Sequence, residues 1–290
     1  KGSFEIKDGN IVFDFELINR FSQPKELQFG SGQQFEIIVK DEDGDEAYRY
    51  SDGKSFTMAL IYKTIKPGEA IKWQDIWDMT DKDGRKLTDG SYKAEIQVLA
   101  NSLNENEEID KSQLSVTLDF ELTAEKIIKE FAGKLITAIK DKDAETVSGF
   151  VHPEKGVRFT AYTSVSEESD TVFTAEKMKM FFDDRTTYLW GYYDGIGSEI
   201  RLTPTEYYDQ FIYSEDFVNA EEIGYNEVLS SGNAVENQFE VYDNPIVVEY
   251  YFPGFNPEYG SMDWKSLRLV FEQYESNWKL VGVIHNQWTI

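Results

Sequence analysis

Two histidines, His152 and His285, stand among 54 acidic side chains in a chain of 290 residues that has no cysteine. An imidazole beside a carboxylate is the commonest general acid–base arrangement. The missing cysteine excludes disulfides, thiolate metal sites and cysteine nucleophiles. No GxSxG, HExxH, P-loop or GxGxxG pattern stands in the context its chemistry requires. His152 precedes Pro153 at an expected helix-to-strand junction and reads as a turn or cap residue. Carboxylates are abundant, but their spacing alone brings no pair together, and neither a cofactor nor a metal is expected.

Residues 41–46, Asp-Glu-Asp-Gly-Asp-Glu, place carboxylates at alternate positions, as a calcium loop does. The EF-hand pattern needs glycine at its sixth position and glutamate at its twelfth, where Glu46 and Asp52 stand. A hairpin turn at Asp43-Gly44 between strands at 35–40 and 47–50 fits better. Tyr188, Trp190, Tyr192 and Tyr193 form an aromatic cluster that either lines a ligand pocket or protein-binding patch or fills a core. In a strand, Tyr192 and Tyr193 point to opposite faces.

These residues must be positioned by two kinds of structure. Residues 11–18, 35–39, 71–77, 92–98 and 114–120 read as strands. Several alternate apolar and polar side chains, with Gly and Asp clusters between them, which favours an all-β, immunoglobulin-like sandwich. Helical periodicity begins after residue 122, so two domains are expected, 1–122 and 123–290. The first carries 15 basic and 25 acidic side chains, the second 14 and 29. Both would repel phosphate backbones and anionic lipid headgroups, which argues against nucleic acid and membrane-surface partners. No apolar run reaches the roughly 18 residues of a membrane span.

A series of segments in the first domain carries a family resemblance. It comprises Asn19, Pro24-Lys-Glu-Leu27, Phe29-Gly-Ser-Gly-Gln33, Lys40-Asp-Glu-Asp-Gly44, Tyr48-Arg-Tyr-Ser-Asp-Gly-Lys54, Phe56-Thr57, Ala59-Leu60, Lys66-Pro-Gly-Glu69, Trp77-Asp78 and Asp89-Gly-Ser-Tyr92. In this order they resemble the intracellular proteinase inhibitor (BsuPI-type) domain, over about two-fifths of the chain. The resemblance implies a protein partner, a serine protease being the expected kind. The stretch Ser51, Asp52, Gly53, Lys54, Ser55 and Phe56 is either the exposed loop that meets it or a turn kept for its Gly and Asp chemistry.

In the second domain Thr123, Asp143 and Thr174 are candidate helix caps, the last for a helix reaching Phe182. Ile127, Ile128, Phe131, Leu135, Ile136 and Ile139 form one buried helical face. Thr203-Pro-Thr-Glu206 combines a capping box with proline at the first helical position. Strands follow at 246–252, 267–273 and 278–288. Helices first and a long sheet afterwards resemble the α+β, cone-shaped NTF2-like fold. That resemblance implies a pocket on the concave face, reached by His285 from the alternating set Lys279, Val281, Val283, His285 and Gln287. There His285 either acts with Asp194 or Asp216 as an acid or base, or is structural. Trp190, Tyr192, Asp194 and His285 are the candidate residues for a small-molecule ligand. Residues 152–159, 189–195 and 262–272 are also similar to a domain of secreted bacterial lipoproteins.

The expectation is a non-enzymatic extracytoplasmic binding protein, a proteinase inhibitor through its first domain, anchored at the cell surface by a lipidated segment upstream. The alternatives are a ligand-binding protein or enzyme with an NTF2-like pocket, and a cytoplasmic location.

Overall fold

The computed structural model describes residues 1–7, 9–103, 109–232, 235–275 and 277–289. The chain is mostly β-sheet with few helices, and its internal contacts divide it into Lys1–Ile127 and Ile128–Ile290. None of the described helices is long and apolar enough to cross a membrane.

The first unit contains strands β1 (Gly2–Lys7), β2 (Asn10–Ile18), β3 (Lys25–Phe29), β4 (Phe35–Lys40), β5 (Glu46–Arg49), β6 (Ile61–Ile65), β7 (Ala70–Trp77), β8 (Gly90–Val98), β9 (Ala100–Ser102) and β10 (Ser115–Leu122). They form three antiparallel sheets, ordered β1-β2-β7, β10-β8-β4-β5 and β6-β3-β9. Alternation dictates the layers. Ile11, Phe13 and Phe15 of β2, Phe35, Ile37 and Val39 of β4, and Tyr92, Ala94, Ile96 and Val98 of β8 are buried, as period-two strands with one wet face require. Rings meet between the first two sheets: Phe15 and Phe35 at 4.9 Å, Phe13 and Phe120 at 6.3 Å, Trp77 and Tyr92 at 6.4 Å.

The third sheet was not evident from alternation, because β3, β6 and β9 are short. Leu27, Phe29, Ile65, Val98, Ala100 and Leu114 make a core cluster of their own there. Leu114 closes a 3-10 turn capped by Asp110 rather than opening the last strand. At residues 41–45 the chain makes a hairpin turn. The Asp41 carboxylate accepts from the amides of Asp43 and Asp45 at 3.1 and 2.8 Å, and Gly44 takes φ +87°, which glycine adopts without strain. The second strand of that hairpin is Glu46–Arg49, one residue earlier than alternation suggested.

The second unit continues α1 (Ala124–Lys140), which starts in the first. It then contains α2 (Ala144–Phe150), β11 (Val157–Thr160), β12 (Thr171–Phe173), α3 (Ala175–Lys179), β13 (Tyr188–Tyr192), β14 (Glu199–Leu202), α4 (Pro204–Tyr207), β15 (Glu222–Tyr225), α5 (Gln238–Val241), β16 (Ile246–Phe252), β17 (Lys265–Tyr274) and β18 (Asn277–Gln287). Thr123, Asp143 and Thr174 accept from the amides of Lys126, Thr146 and Lys177, and Thr203 and Glu206 close the capping box. The helix after Thr174 stops at Lys179, short of the expected Phe182.

Six strands make the main sheet in the order β12-β11-β18-β17-β16-β15. The β11–β18 pair is parallel and its other pairs antiparallel. Between β17 and β18 the register slips, so that Gly282 faces Val270 but Leu280 faces Phe271. Val281 is the extra residue of a bulge, which turns the strand's alternation over at that point. Val281 joins Val165, Tyr242, Val247, Val270 and Ile284 on one face. Val283 and Leu280 look to the other, towards Ile139, Phe159 and Phe181. The expected single-faced set from Lys279 to Gln287 is therefore split.

Asn19 ties three segments of the first unit together. Its side-chain amide donates to the carbonyls of Gln23 and Ile65 at 2.8 and 2.7 Å, and its side-chain oxygen accepts from Phe21 N–H. Its main chain pairs with Gly68 and Glu69. Replacing it by alanine strands these partners, so Asn19→Ala should cost about 2 kcal/mol, read as a lower urea midpoint. A change under about 0.5 kcal/mol would refute this role.

Candidate functional site

After β5 the chain turns at residues 50–53, with Asp52 N–H donating to Arg49 O and Lys54 N–H to Ser51 O. It then runs from 54 to 60 without helix, strand, turn or bend. Asp52, Gly53, Lys54 and Ser55 are exposed, Ser51 and Phe56 partly buried. Both readings of this stretch thus have a place: a turn at its start, an outward loop after it. Three braces hold it. Ser51 N–H donates to Glu36 Oε1 at 3.0 Å, and Glu36 Oε2 accepts from Gln33 Nε2 at 3.0 Å. Lys54 Nζ lies 3.6 Å from Asp75 and 3.5 Å above the Tyr50 ring. Asp75 also accepts from Tyr48 at 2.6 Å, and burial, reinforced by that bond, raises the phenol's pKa. Finally, Phe56 packs on Tyr50, and Tyr50 on Phe35 in the core.

The ligand residues expected in the second unit are placed differently. Trp190 is fully buried, stacked on Tyr207 at 4.0 Å, its indole N–H donating to Leu202 O. Tyr207 stacks on Phe211, and Phe211 meets His285 edge-on at 5.4 Å. Trp190 and His285 are thus the two ends of one ring stack inside the core. Tyr192 is 55% exposed. Asp194 is also exposed, accepting from Thr289 Oγ1 at 2.5 Å. Asp216 bonds Tyr213, Asn219 and Lys140, which lowers its pKa to about 2.

His285 touches neither carboxylate. Its Nε2 lies 3.3 Å from Gln287 Oε1, and its Nδ1 has no partner among the described residues. A cavity of about 20 Å³, room for roughly one water, lies among Phe159, Phe181, Phe182, Tyr208 and Val283, and none of the expected ligand residues lines it. His152 is the expected turn residue: its Nδ1 accepts from the amides of Glu154 and Lys155.

The opposite face carries a polar network that alternation and motif searching missed. Arg268 and Glu249 are both wholly buried, with Arg268 Nε 3.2 Å from Glu249 Oε1. Arg268 also pairs with Glu236 and donates to Ser230 O at 3.1 Å. Glu249 accepts from the amides of Leu229 and Ser230 and from the hydroxyls of Ser230 and Ser266, and Asn286 donates to Ser230 Oγ. A sequence signal existed: Glu249 is the one acid in an apolar strand, Ile246–Phe252, and Arg268 stands in the apolar run of another, Lys265–Tyr274. The network leaves only Arg268 Nε without a well-aligned acceptor among the described residues and fastens Leu229, Ser230 and Glu236 to the sheet, so it reads as structural.

Residues 1–103 match the model of the intracellular proteinase inhibitor family, BsuPI. The match ends before β10, which completes the four-stranded sheet. No curated protein matches the chain. Among solved structures, a β-glucuronidase of Bacteroides uniformis is 9% identical with a TM-score of 0.22, over 42% of this chain and 12% of that one. A "putative lipoprotein (ycdA)" of Bacillus subtilis is 10% identical with a TM-score of 0.25, over 97% of this chain and 90% of that one. The chain spans 12% of the length of the glucuronidase.

Two outcomes follow from the buried groups. Arg268→Met leaves Glu249 as an uncompensated buried charge and should cost about 3–5 kcal/mol. Adding Glu249→Gln should restore part of the loss in chemical denaturation, and no recovery would show that the charge is not what matters. Burial lowers the His285 pKa from 6.5 to about 4, so between those values the unfolded chain binds a proton the folded chain refuses. Stability is then full above pH 6.5 and falls by about 3 kcal/mol as pH drops to 4. His285→Gln should flatten that slope in urea midpoints measured against pH, and an unchanged slope would refute it.

Proposed function

We propose that the first unit, whose residues 1–103 match the proteinase inhibitor family, is a non-enzymatic binding module that inhibits a protease, of the serine class. It acts through the loop that begins with Ser51 to Phe56. The observation that carries this reading is the bracing of an exposed loop by Glu36, Asp75 and the Tyr50–Phe35 rings. A segment held in its bound shape loses little entropy on docking.

Several features support reading this unit as an immunoglobulin-like sandwich over 1–122. Sheets β1-β2-β7 and β10-β8-β4-β5 share a ring-filled core. Tyr92, near the start of β8, donates to Asp89 O at 2.9 Å in the manner of a tyrosine corner. We read 123–290 as an α+β, NTF2-like companion domain without catalysis. Helices before a six-stranded sheet favour that reading, and the burial of Trp190 and His285 counts against a small-molecule pocket. The resemblance of 152–159, 189–195 and 262–272 to secreted lipoprotein domains favours a cell-surface location, whereas the family's name points inside the cell. Fractionation of producing cells distinguishes the two.

Titration of the intact chain against a panel of serine proteases, following residual activity and the integrity of the chain together, tests the inhibitor reading. Inhibition near one-to-one by uncut protein is expected, with a loss of about 30-fold or more when 51–56 are replaced by a Gly/Ser run of equal length. Digestion as an ordinary substrate, or no inhibition of any enzyme, would overturn it.

A further inference from the structure

Past Phe56 the loop carries an apolar crest. Among the described residues of the first unit six large apolar side chains are exposed, and three of them, Met58, Leu60 and Tyr62, fall within five positions. Scattered exposed apolar residues are ordinary on a surface, whereas a concentration at one place marks contact. Met58 is 92% exposed and Leu60 51%. Leu60 is followed directly by β6, whose Ile61 pairs with Phe29, so the main chain is committed to the sheet from the next residue on. Met58 is free of the sheet but not loose. It follows Thr57, whose carbonyl accepts from Gly32 N–H at 2.8 Å.

That contact requires glycine, because a Cβ at position 32 would lie 2.6 Å from Thr57 Oγ1 and 3.2 Å from Thr57 N. None of residues 54–60 takes a positive φ. Extended, the seven reach up to about 23 Å at about 3.3 Å each. A protease cleft accepts such a shape: an extended segment lying along it, with one crest side chain in the primary pocket.

Resting on the inhibitor reading above, we infer that Met58 is the residue that enters the protease's primary specificity pocket. The target class is then a serine protease whose pocket is an apolar slot rather than one floored by a carboxylate. The unbranched, polarisable thioether adapts to the walls of a slot and offers a carboxylate no charge to pair with. Leu60 and Tyr62 form the apolar margin of the contact.

The test titrates the intact chain and its variants Met58→Leu, Met58→Asp, Met58→Lys and Gly32→Ala against chymotrypsin, subtilisin and trypsin, with thermal melting to check each fold. The native chain should inhibit chymotrypsin or subtilisin at least about 30-fold better than trypsin. Met58→Leu should stay within about threefold, while Met58→Asp weakens inhibition by about 30-fold or more. Met58→Lys should transfer inhibition to trypsin, a gain that misfolding cannot imitate. Gly32→Ala, which leaves Met58 in place but displaces the loop, should also weaken inhibition. If the native chain inhibits and the Met58 variants keep its selectivity, the assignment of Met58 falls while the inhibitor reading stands. Equal inhibition of trypsin by the native chain would overturn the pocket class, and no inhibition of any protease would overturn both.

Discussion

Packing of aromatic rings between layers is the interaction on which both units rest. A buried ring removes roughly 150–250 Å² from water, worth several kcal/mol at about 25 cal/mol per Å², whereas its edge or stacking geometry adds only about 1 kcal/mol. Burial therefore decides that the layers close, and ring geometry decides what they position. In the first unit Phe35 joins the sheets' core to Tyr50, and through it to Phe56, so the loop inherits its stiffness from the core. In the second unit Trp190, Tyr207, Phe211 and His285 form a continuous run of ring contacts inside the core.

The Arg268–Glu249 pair shows the opposite balance. Desolvating two charges costs more than their attraction returns unless every remaining lone pair and proton is engaged. Here the amides of Leu229 and Ser230 and the hydroxyls of Ser230 and Ser266 surround Glu249, and Ser230 and Glu236 engage the guanidinium, whose Nε faces Glu249 at 3.2 Å without an aligned hydrogen bond. What the pair contributes is register: Leu229, Ser230 and Glu236 can sit on this sheet in one place.

Period-two alternation and capping residues made most of the fold legible. Long strands such as β2 and β8 alternate cleanly, and Thr123, Asp143, Thr174 and Thr203 declare their helices by local hydrogen bonding alone. The short strands β3, β6 and β9 are held by neighbours distant in sequence, so nothing local announces them. The bulge at Val281 likewise depends on β17, and it changed which side chains accompany His285. For the candidate site, turn chemistry and family likeness pointed to Ser51 to Phe56, whereas the brace from Gly32 to Thr57 joins positions 25 apart and has no local signal. The burial of Trp190 depends on where Tyr207 and Phe159 arrive, which no spacing encodes.

Because Gly32 holds Thr57 through the main chain, the course of the loop does not depend on which side chains follow. Met58 has almost no packing to lose, and substitutions at so exposed a position change stability by less than about 0.5 kcal/mol. The fold thus separates an inherited frame from a tip that can drift. A lineage of such chains could exchange the tip's chemistry repeatedly while staying above its stability threshold, with little epistasis from the core to restrain the search.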